Sequence, residues 1–91
     1  MSLKWPFKDP DEVLDYTLDW SGRLSGEDTI VTSSWTVPDG ITNDDEERTN
    51  TSTTLWLSGG TEGQTYSFLN RVVTAGGRTM DQTVTLNIKS K

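Results

Sequence analysis

The sequence predicts an all-β protein, an immunoglobulin-like antiparallel sandwich of two sheets with an extended N-terminal arm. Its 91 residues include 15 threonines and 9 serines but only one alanine, a composition that favours strands and turns over helices. Apolar and polar residues alternate along several short segments, as in strands with one buried face. Short turn signals separate these segments, which is typical of a small sandwich; an open barrel of similar size is the alternative.

We expect one domain, because 91 residues are too few for two hydrophobic cores. Residues 12–91 form this domain in our prediction. Residues 1–11 are predicted to be a flexible arm, since the segment combines Pro6 and Pro10 with charges of both signs. The arm also carries Trp5 and Phe7, which we expect to lie outside the core. They either contact a partner or fold back over an open sheet edge.

Two strands are predicted in the first half of the domain. Residues 14–20 alternate with period two, and the apolar positions Leu14, Tyr16, Leu18 and Trp20 share one face. Residues 29–37 form the second strand, and the alternation places Val31, Ser33, Trp35 and Val37 on one side. Trp35 is therefore predicted to anchor the core.

The second half predicts three further strands, at residues 53–58, 65–74 and 78–89. Ala75-Gly76-Gly77-Arg78 joins the last two as a tight hairpin, because paired glycines allow positive φ. Tyr66 is either an ordinary core residue or a tyrosine that ties the corner before its strand. Trp56 lies between Leu55 and Leu57, so it belongs to the core or faces outwards.

An acidic stretch at residues 39–47 separates the two halves and predicts an exposed loop or a weak edge strand. Its acids are Asp39, Asp44, Asp45, Glu46 and Glu47. Most of them are contiguous, whereas a calcium loop needs acids at alternate positions and a glycine at the sixth. We therefore expect a solvated segment and no metal site.

The residue inventory argues against catalysis and cofactors. There is no His or Cys to act as base, nucleophile or common zinc ligand. No spacing selects a pair of carboxylates for hydrolysis, and a sandwich of this size rarely builds a substrate cleft. We predict no catalytic residues, no cofactor and no metal, and hence no enzyme.

The net charge of −6 disfavours nucleic acid, and no apolar run is long enough to span a membrane. The charge is uneven: residues 1–47 hold 12 acids and 3 bases, whereas residues 48–91 hold 2 acids and 5 bases. If these charges lie at different ends, neighbouring copies can meet head to tail, for example in a ring. The alternative is that strands from both halves interleave and blur the asymmetry.

Several segments together resemble one protein family. They are Trp5-Pro6-Phe7-Lys8-Asp9-Pro10-Asp11-Glu12-Val13-Leu14-Asp15-Tyr16, Leu18-Asp19-Trp20-Ser21, Asp28-Thr29-Ile30, Ser34-Trp35-Thr36-Val37-Pro38, Leu55-Trp56-Leu57-Ser58-Gly59-Gly60, Asn70-Arg71 and Thr74-Ala75-Gly76-Gly77-Arg78. In order and spacing they are similar to small proteins of tailed phages and prophages, the phage fibre-tail adaptor family. The resemblance covers nearly the whole chain.

The resemblance implies a virion structural protein, made in the cytoplasm of the bacterial host, that joins the tail or neck to fibres or neighbouring rings. Its partners would be other tail, neck or fibre proteins. The mechanism would be assembly, with β-augmentation at open edges and charge complementarity setting orientation. As interface residues we predict Trp5, Phe7, Arg71 and Arg78; as core residues Trp20, Trp35, Trp56, Tyr66 and Phe68. The alternative is a free-standing carbohydrate or adhesion module that uses Trp56 or Trp20 as a stacking platform.

Overall fold

Seven strands form two sheets in the computed structural model, which describes residues 3–91. The strands are β1 (Leu3–Lys4), β2 (Leu14–Asp19), β3 (Ile30–Thr36), β4 (Ile41–Arg48), β5 (Ser52–Gly59), β6 (Thr65–Thr74) and β7 (Thr79–Asn87). One sheet has the order β1-β7-β6-β3 and the other β2-β5-β4. The predicted immunoglobulin-like sandwich is confirmed. All neighbouring strands are antiparallel except β1, which pairs with β7 in parallel.

The only helical element among residues 3–91 is a 3-10 turn at Ser21–Arg23. Within this described part of the chain, no helix is long and apolar enough to cross a membrane.

The core lies between the sheets and is built from the period-two apolar positions. In β5, Leu55 and Leu57 are fully buried, and in β7 Val84 and Leu86 are equally buried. Phe68 of β6 is 1% exposed. Alternation of inward and outward side chains accounts for the buried faces of these three strands, because one face of each strand packs against the opposite sheet.

Strand β3 departs from simple alternation. The pairing of β3 with β6 shifts between Ile30 and Thr32, so a β-bulge lies at the start of the strand. Ile30 is 2% exposed and Val31 is 45% exposed, which reverses the predicted orientation of Val31. Beyond the bulge the prediction holds, since Trp35 is partly buried and packs against the core. An extra residue in one strand moves the preceding side chains to the opposite face.

Strand β4 contains most of the acidic stretch and is an edge strand, paired on one side only, with β5. The prediction of an exposed loop is thus wrong, and that of an edge strand is confirmed. Ile41 is the only buried residue of β4. Backbone pairing with β5 holds β4 in place, because every side chain after Ile41 is exposed. A bulge interrupts this pairing between Asn43 and Asp45.

A buried polar network connects the sheets. The indole N–H of Trp20 donates to Asn70 Oδ1 at 3.0 Å and to Thr53 Oγ1 at 3.2 Å, and Thr53 Oγ1 donates to Asn70 Oδ1 at 2.7 Å. Asn70 Nδ2 in turn donates to Ser33 Oγ and to the carbonyl of Ser34. Because Asn70 and Thr53 are fully buried, these bonds satisfy groups that would otherwise destabilise the fold.

The two predicted corners are present. The N–H of Gly77 donates to the carbonyl of Thr74 at 3.0 Å, and Gly77 has a φ of 85°, which confirms the hairpin between β6 and β7. At the start of β6, the Tyr66 hydroxyl accepts a hydrogen bond from the N–H of Thr61 at 3.0 Å. Tyr66 thus ties the corner that precedes its strand, while its ring packs against the core.

Candidate protein-protein interface

The arm, predicted at residues 1–11, lies along β7 from residue 3 onwards; residues 1 and 2 lie outside the described residues. The N–H of Trp5 donates to the carbonyl of Thr85 at 2.9 Å, and that of Lys8 donates to Asn87 at 3.0 Å. Lys89 N–H returns a bond to the carbonyl of Lys8. These backbone bonds extend the four-stranded sheet beyond the two residues of β1. The division between residues 1–11 and 12–91 stays a prediction.

Trp5 is 7% exposed and lies in the core, so the expectation that it stays outside is wrong. Its ring stacks on Tyr16, with centroids 4.8 Å apart and an interplanar angle of 18°, and also contacts Trp35 and Phe68. The Tyr16 hydroxyl donates to the carbonyl of Pro6 at 3.1 Å, and its burial raises the pKa of the phenol to about 12. A small sandwich has few large side chains to bury, so an aromatic ring that fills the space between its sheets contributes much to stability.

Lys8 is a second anchor of the arm that the sequence did not reveal. The side chain is fully buried, and Nζ donates to the carbonyls of Gly59 at 2.7 Å and Asp9 at 2.9 Å. Desolvation by burial lowers the pKa of Lys8, and the nearby carboxylates of Glu12 and Asp9 oppose this shift. Lysine is rarely buried this completely, and the Gly59 carbonyl that receives it is distant in sequence.

Phe7 remains on the surface, 45% exposed, between the last residues of the chain. The Nζ atoms of Lys89 and Lys91 lie 5.7 and 5.5 Å from its ring centroid. Lys91 Nζ also pairs with Glu12 Oε1 at 2.7 Å. The two ammonium groups hold the ring by cation–π contact, and Phe7 stays available to a partner.

The predicted basic interface residues both have acidic partners. Arg71 binds Asp81 through two parallel bonds, Nε to Oδ1 at 2.8 Å and Nη2 to Oδ2 at 3.0 Å. Arg78 Nη1 lies 3.0 Å from Asp28 Oδ2. Both guanidinium groups remain about half exposed, which leaves donors free for a further acceptor.

Asp28 fixes the position of Arg78. Its side chain is 5% exposed, and Oδ1 accepts the N–H groups of Gly76 and Thr29 at 2.8 and 3.0 Å. The pKa of Asp28 is lowered, first by the hydrogen bond with the Thr74 side chain and then by these backbone donors and Arg78. The carboxylate thus ties the loop before β3 to the hairpin.

These candidate residues do not form one site. Arg78 precedes the first residue of β7, whereas Phe7 lies beside Lys89, beyond its last residue. At about 3.4 Å per residue, this strand of 9 residues separates them by about 30 Å. Arg71 lies on the outer face of the four-stranded sheet, opposite Asp81. The candidates therefore mark both ends and one face of the sandwich.

Trp56 faces outwards, an orientation that the alternation of apolar and polar residues left undecided. Leu55 and Leu57 are fully buried, so the side chain between them points to the other face of the β2-β5-β4 sheet. It is partly exposed and does not belong to the core. The prediction of Trp56 as a core residue is therefore wrong. In the register of the sheet, Trp56 lies between Asp15 of β2 and Asp45 of β4.

Grooves on the surface are shallow. One of about 200 Å³ is lined by Ser33, Glu46, Glu47 and Arg48, and Arg48 Nη1 crosses to the carbonyl of Ile30 at 3.2 Å. Among residues 3–91, no cluster of three acidic side chains is close enough to hold a metal ion. The geometry that the structure does offer consists of sheet edges, exposed faces and single protruding side chains.

Similarity to known proteins indicates the family of this chain. A search of curated proteins gives no match. Among solved structures, the chain is similar to the PKD domain from KIAA 1837 protein, with a TM-score of 0.51 and 22% identity over 99% of this chain and 79% of that one. This likeness shows the fold alone. A family model described as podophage GP4 fiber-tail adaptor protein gp77 matches residues 8–87. The chain therefore belongs to the podophage fibre-tail adaptor family, and a role as a virion component that contacts other tail or fibre proteins follows.

Proposed function

We propose that this protein is a non-catalytic adaptor that links the tail or neck of the virion to its fibres through protein–protein contacts. It is made in the cytoplasm of the bacterial host and then built into the particle. The observation that carries the proposal is the family match over residues 8–87, on a sandwich whose surface offers edges and faces rather than a cleft. Edge strands and rigid faces are the means by which small β domains join larger assemblies.

The interface residues in this proposal are Phe7, Arg71 and Arg78, with Trp5 as the anchor behind Phe7. Phe7 is exposed within a segment that the buried side chains of Trp5 and Lys8 hold on either side, so docking it costs little conformational entropy. Arg71 and Arg78 keep exposed guanidinium groups whose orientation their acidic partners set. Because the three residues mark separate regions, the adaptor has room for more than one neighbour.

The absence of catalysis belongs to the same proposal. The chain has no His or Cys, and the carboxylates of Asp81, Asp28 and Glu12 each form an ion pair with an arginine or a lysine. Its acidic surface disfavours nucleic acid, and we propose no membrane contact. Self-association in a ring is one assembly that the uneven charge allows.

The test is quantitative mass spectrometry of purified virions from an induced lysate of the producing strain. We expect this chain at a fixed ratio to tail or head proteins. A particle assembled with Phe7→Ala should carry less of the chain, or fewer fibres, while Val13→Ala, at an exposed apolar residue, serves as the control. Intact wild-type particles that lack the chain would overturn the adaptor proposal.

A second candidate is a free-standing binding module, and the partly exposed Trp56 favours it. An outward tryptophan on a flat sheet face can stack on a sugar ring. Quenching of tryptophan fluorescence, with and without oligosaccharides, distinguishes the candidates. A sugar-dependent change that Trp56→Thr abolishes would support the binding module and count against the adaptor.

A further inference from the structure

The outer face of the β2-β5-β4 sheet combines one aromatic ring with carboxylates on both sides. Trp56 lies at its centre, with Asp15 as the register partner in β2 and Asp45 in β4. Glu47 follows two residues along β4, opposite Thr54, and Asp19 ends β2 opposite Ser52. We call these five residues, Asp15, Asp19, Asp45, Glu47 and Trp56, the acidic face.

The spacing of the strands gives the size of this face. Neighbouring strands lie about 4.8 Å apart, so the Cα atoms of Asp15 and Asp45 are about 10 Å apart across Trp56. Asp15 and Asp19 are four residues apart in one strand, which corresponds to about 14 Å. The carboxylates are spread over a surface and do not converge on a point. Accordingly, no group of three acids within residues 3–91 is placed to hold a metal ion.

Among residues 3–91, no basic side chain forms an ion pair with the acidic face. The ion pairs found among residues 3–91 involve Asp81, Asp28 and Glu12, all outside it. Asp19 accepts a hydrogen bond from the N–H of Ser21, which lowers the pKa of its carboxyl and keeps it charged. Asp45 accepts only the N–H of Glu46 among the described residues. Arg48 is the one basic residue of β4. It lies opposite the buried Thr53, on the inward side of the sheet, and its Nη1 donates to the carbonyl of Ile30.

The opposite sheet shows that this arrangement is not general to the molecule. On its outer face the carboxylate of Asp81 is paired with Arg71, and Arg23 donates to the Asp81 carbonyl. That face therefore has no excess of negative charge, whereas the acidic face carries four unpaired negative charges around an indole ring. Repulsion among these like charges destabilises the free protein, and a cationic partner in an assembly would remove this repulsion.

We propose that the acidic face docks a basic protein surface that places an arginine over Trp56. A guanidinium group stacks on an indole and donates in its own plane to carboxylates on either side, and here Asp15 and Asp45 flank the ring. Spread charges of one sign match a partner surface of the opposite sign rather than a single ion. This inference rests on the proposed adaptor function and gives the chemistry of one of its partners.

The experiment titrates the isotope-labelled full chain with a synthetic peptide of alternating arginine and glycine, followed by amide chemical shifts. We expect the largest shifts in β2, β4 and β5 around Trp56, and affinity that falls with salt. Asp15→Asn/Asp45→Asn should weaken binding about tenfold, the effect of losing a charged anchor. Trp56→Thr, a strand-forming residue on an outer face, should weaken it by a similar factor.

The matched control is Glu27→Gln/Asp39→Asn, which removes the same charge at exposed positions outside the acidic face. We expect the control to change affinity less than twofold. The inference is overturned if the control weakens binding as much as Asp15→Asn/Asp45→Asn, because general acidity would then explain it. Shifts centred elsewhere, or equal affinity for the matching lysine–glycine peptide together with an inert Trp56→Thr, would also overturn it.

Virion composition separates this inference from the adaptor proposal. If wild-type particles contain the chain and the peptide fails to bind the acidic face, only the inference is wrong. If the particles lack the chain, the adaptor function is wrong whatever the peptide does. Incorporation that falls with Asp15→Asn/Asp45→Asn but not with the control would support both.

Discussion

The N-terminal arm and strand β4 both lie at the margin of the sandwich, but different forces hold them. The arm makes few strand bonds, and two buried side chains, Trp5 and Lys8, fasten it between and across the sheets. Strand β4 pairs along its length with β5 and buries only Ile41. We expect the arm to be the more firmly held of the two, although it has less regular structure, because burying two large side chains stabilises it more than backbone pairing stabilises an exposed edge strand.

We expect the largest loss of stability at Trp5. Trp5→Ala should lower the free energy of unfolding by about 3–5 kcal/mol, because it removes the ring that stacks on Tyr16 and leaves a cavity between the sheets. Phe7→Ala is the control, since Phe7 is exposed and loses mainly its cation–π contacts, worth about 1 kcal/mol. Urea denaturation measures both. Equal losses for the two variants would show that the arm is not anchored through Trp5.

Lys8 should give the next largest effect. Lys8→Ala is expected to cost about 2–3 kcal/mol, because the Gly59 carbonyl loses a charged donor and the buried stem is removed. Lys8→Met keeps the stem and should cost less. Lys4→Ala, at an exposed lysine of the same arm, should stay within about 0.5 kcal/mol. If Lys8→Ala behaves like Lys4→Ala in urea denaturation, the buried ammonium does not hold the arm.

The ionisation of Tyr16 reports on burial by the arm without unfolding the chain. Burial under the arm raises its pKa to about 12, so the unfolded chain releases this proton at lower pH than the folded one. The stability that Tyr16 contributes is therefore full below pH about 10 and is lost as the pH rises towards 12. Phenolate absorbance should show a late step that Tyr16→Phe removes and that Trp5→Ala moves to lower pH. A late step that Trp5→Ala leaves unchanged would contradict burial by the arm.

The smallest effects are expected in β4. Asp44→Asn and Glu47→Gln should each change the free energy of unfolding by no more than about 0.5 kcal/mol, since both side chains are exposed. Urea denaturation checks this, with Thr42→Ala as a neutral reference on the same strand. A loss above about 1 kcal/mol for either acid would mean that side chains, and not backbone pairing, hold β4.

Much of the fold could be predicted from local pattern. The strands β5, β6 and β7 and the hairpin at Gly77 follow from alternation and turn residues, which depend only on neighbouring positions. The bulge at the start of β3 could not, because an unpaired residue leaves no mark in composition and yet reverses Ile30 and Val31. Trp56 is a similar case: three apolar residues in a row leave its face undecided until Leu55 and Leu57 pack inwards.

The candidate interface was predicted less well. Phe7, Arg71 and Arg78 are exposed, as an interface requires, but the structure places them in separate regions. The acidic face was not seen from the sequence because Asp15, Asp45 and Trp56 come from three strands that only the register brings side by side. Trp5 was misjudged because a tryptophan between prolines and charges carries no periodic signal.

Composition and the two-residue period of a strand were enough to predict the all-β class, the sandwich, most of the strand segments and the lack of thiol or imidazole chemistry. Three features follow only from the packing of the folded chain: Trp5 fills the core, Lys8 is buried against Gly59, and Trp56 lies among carboxylates. Each of these depends on contacts between separate segments of the chain, and such contacts arise only when the strands pair and the two sheets pack.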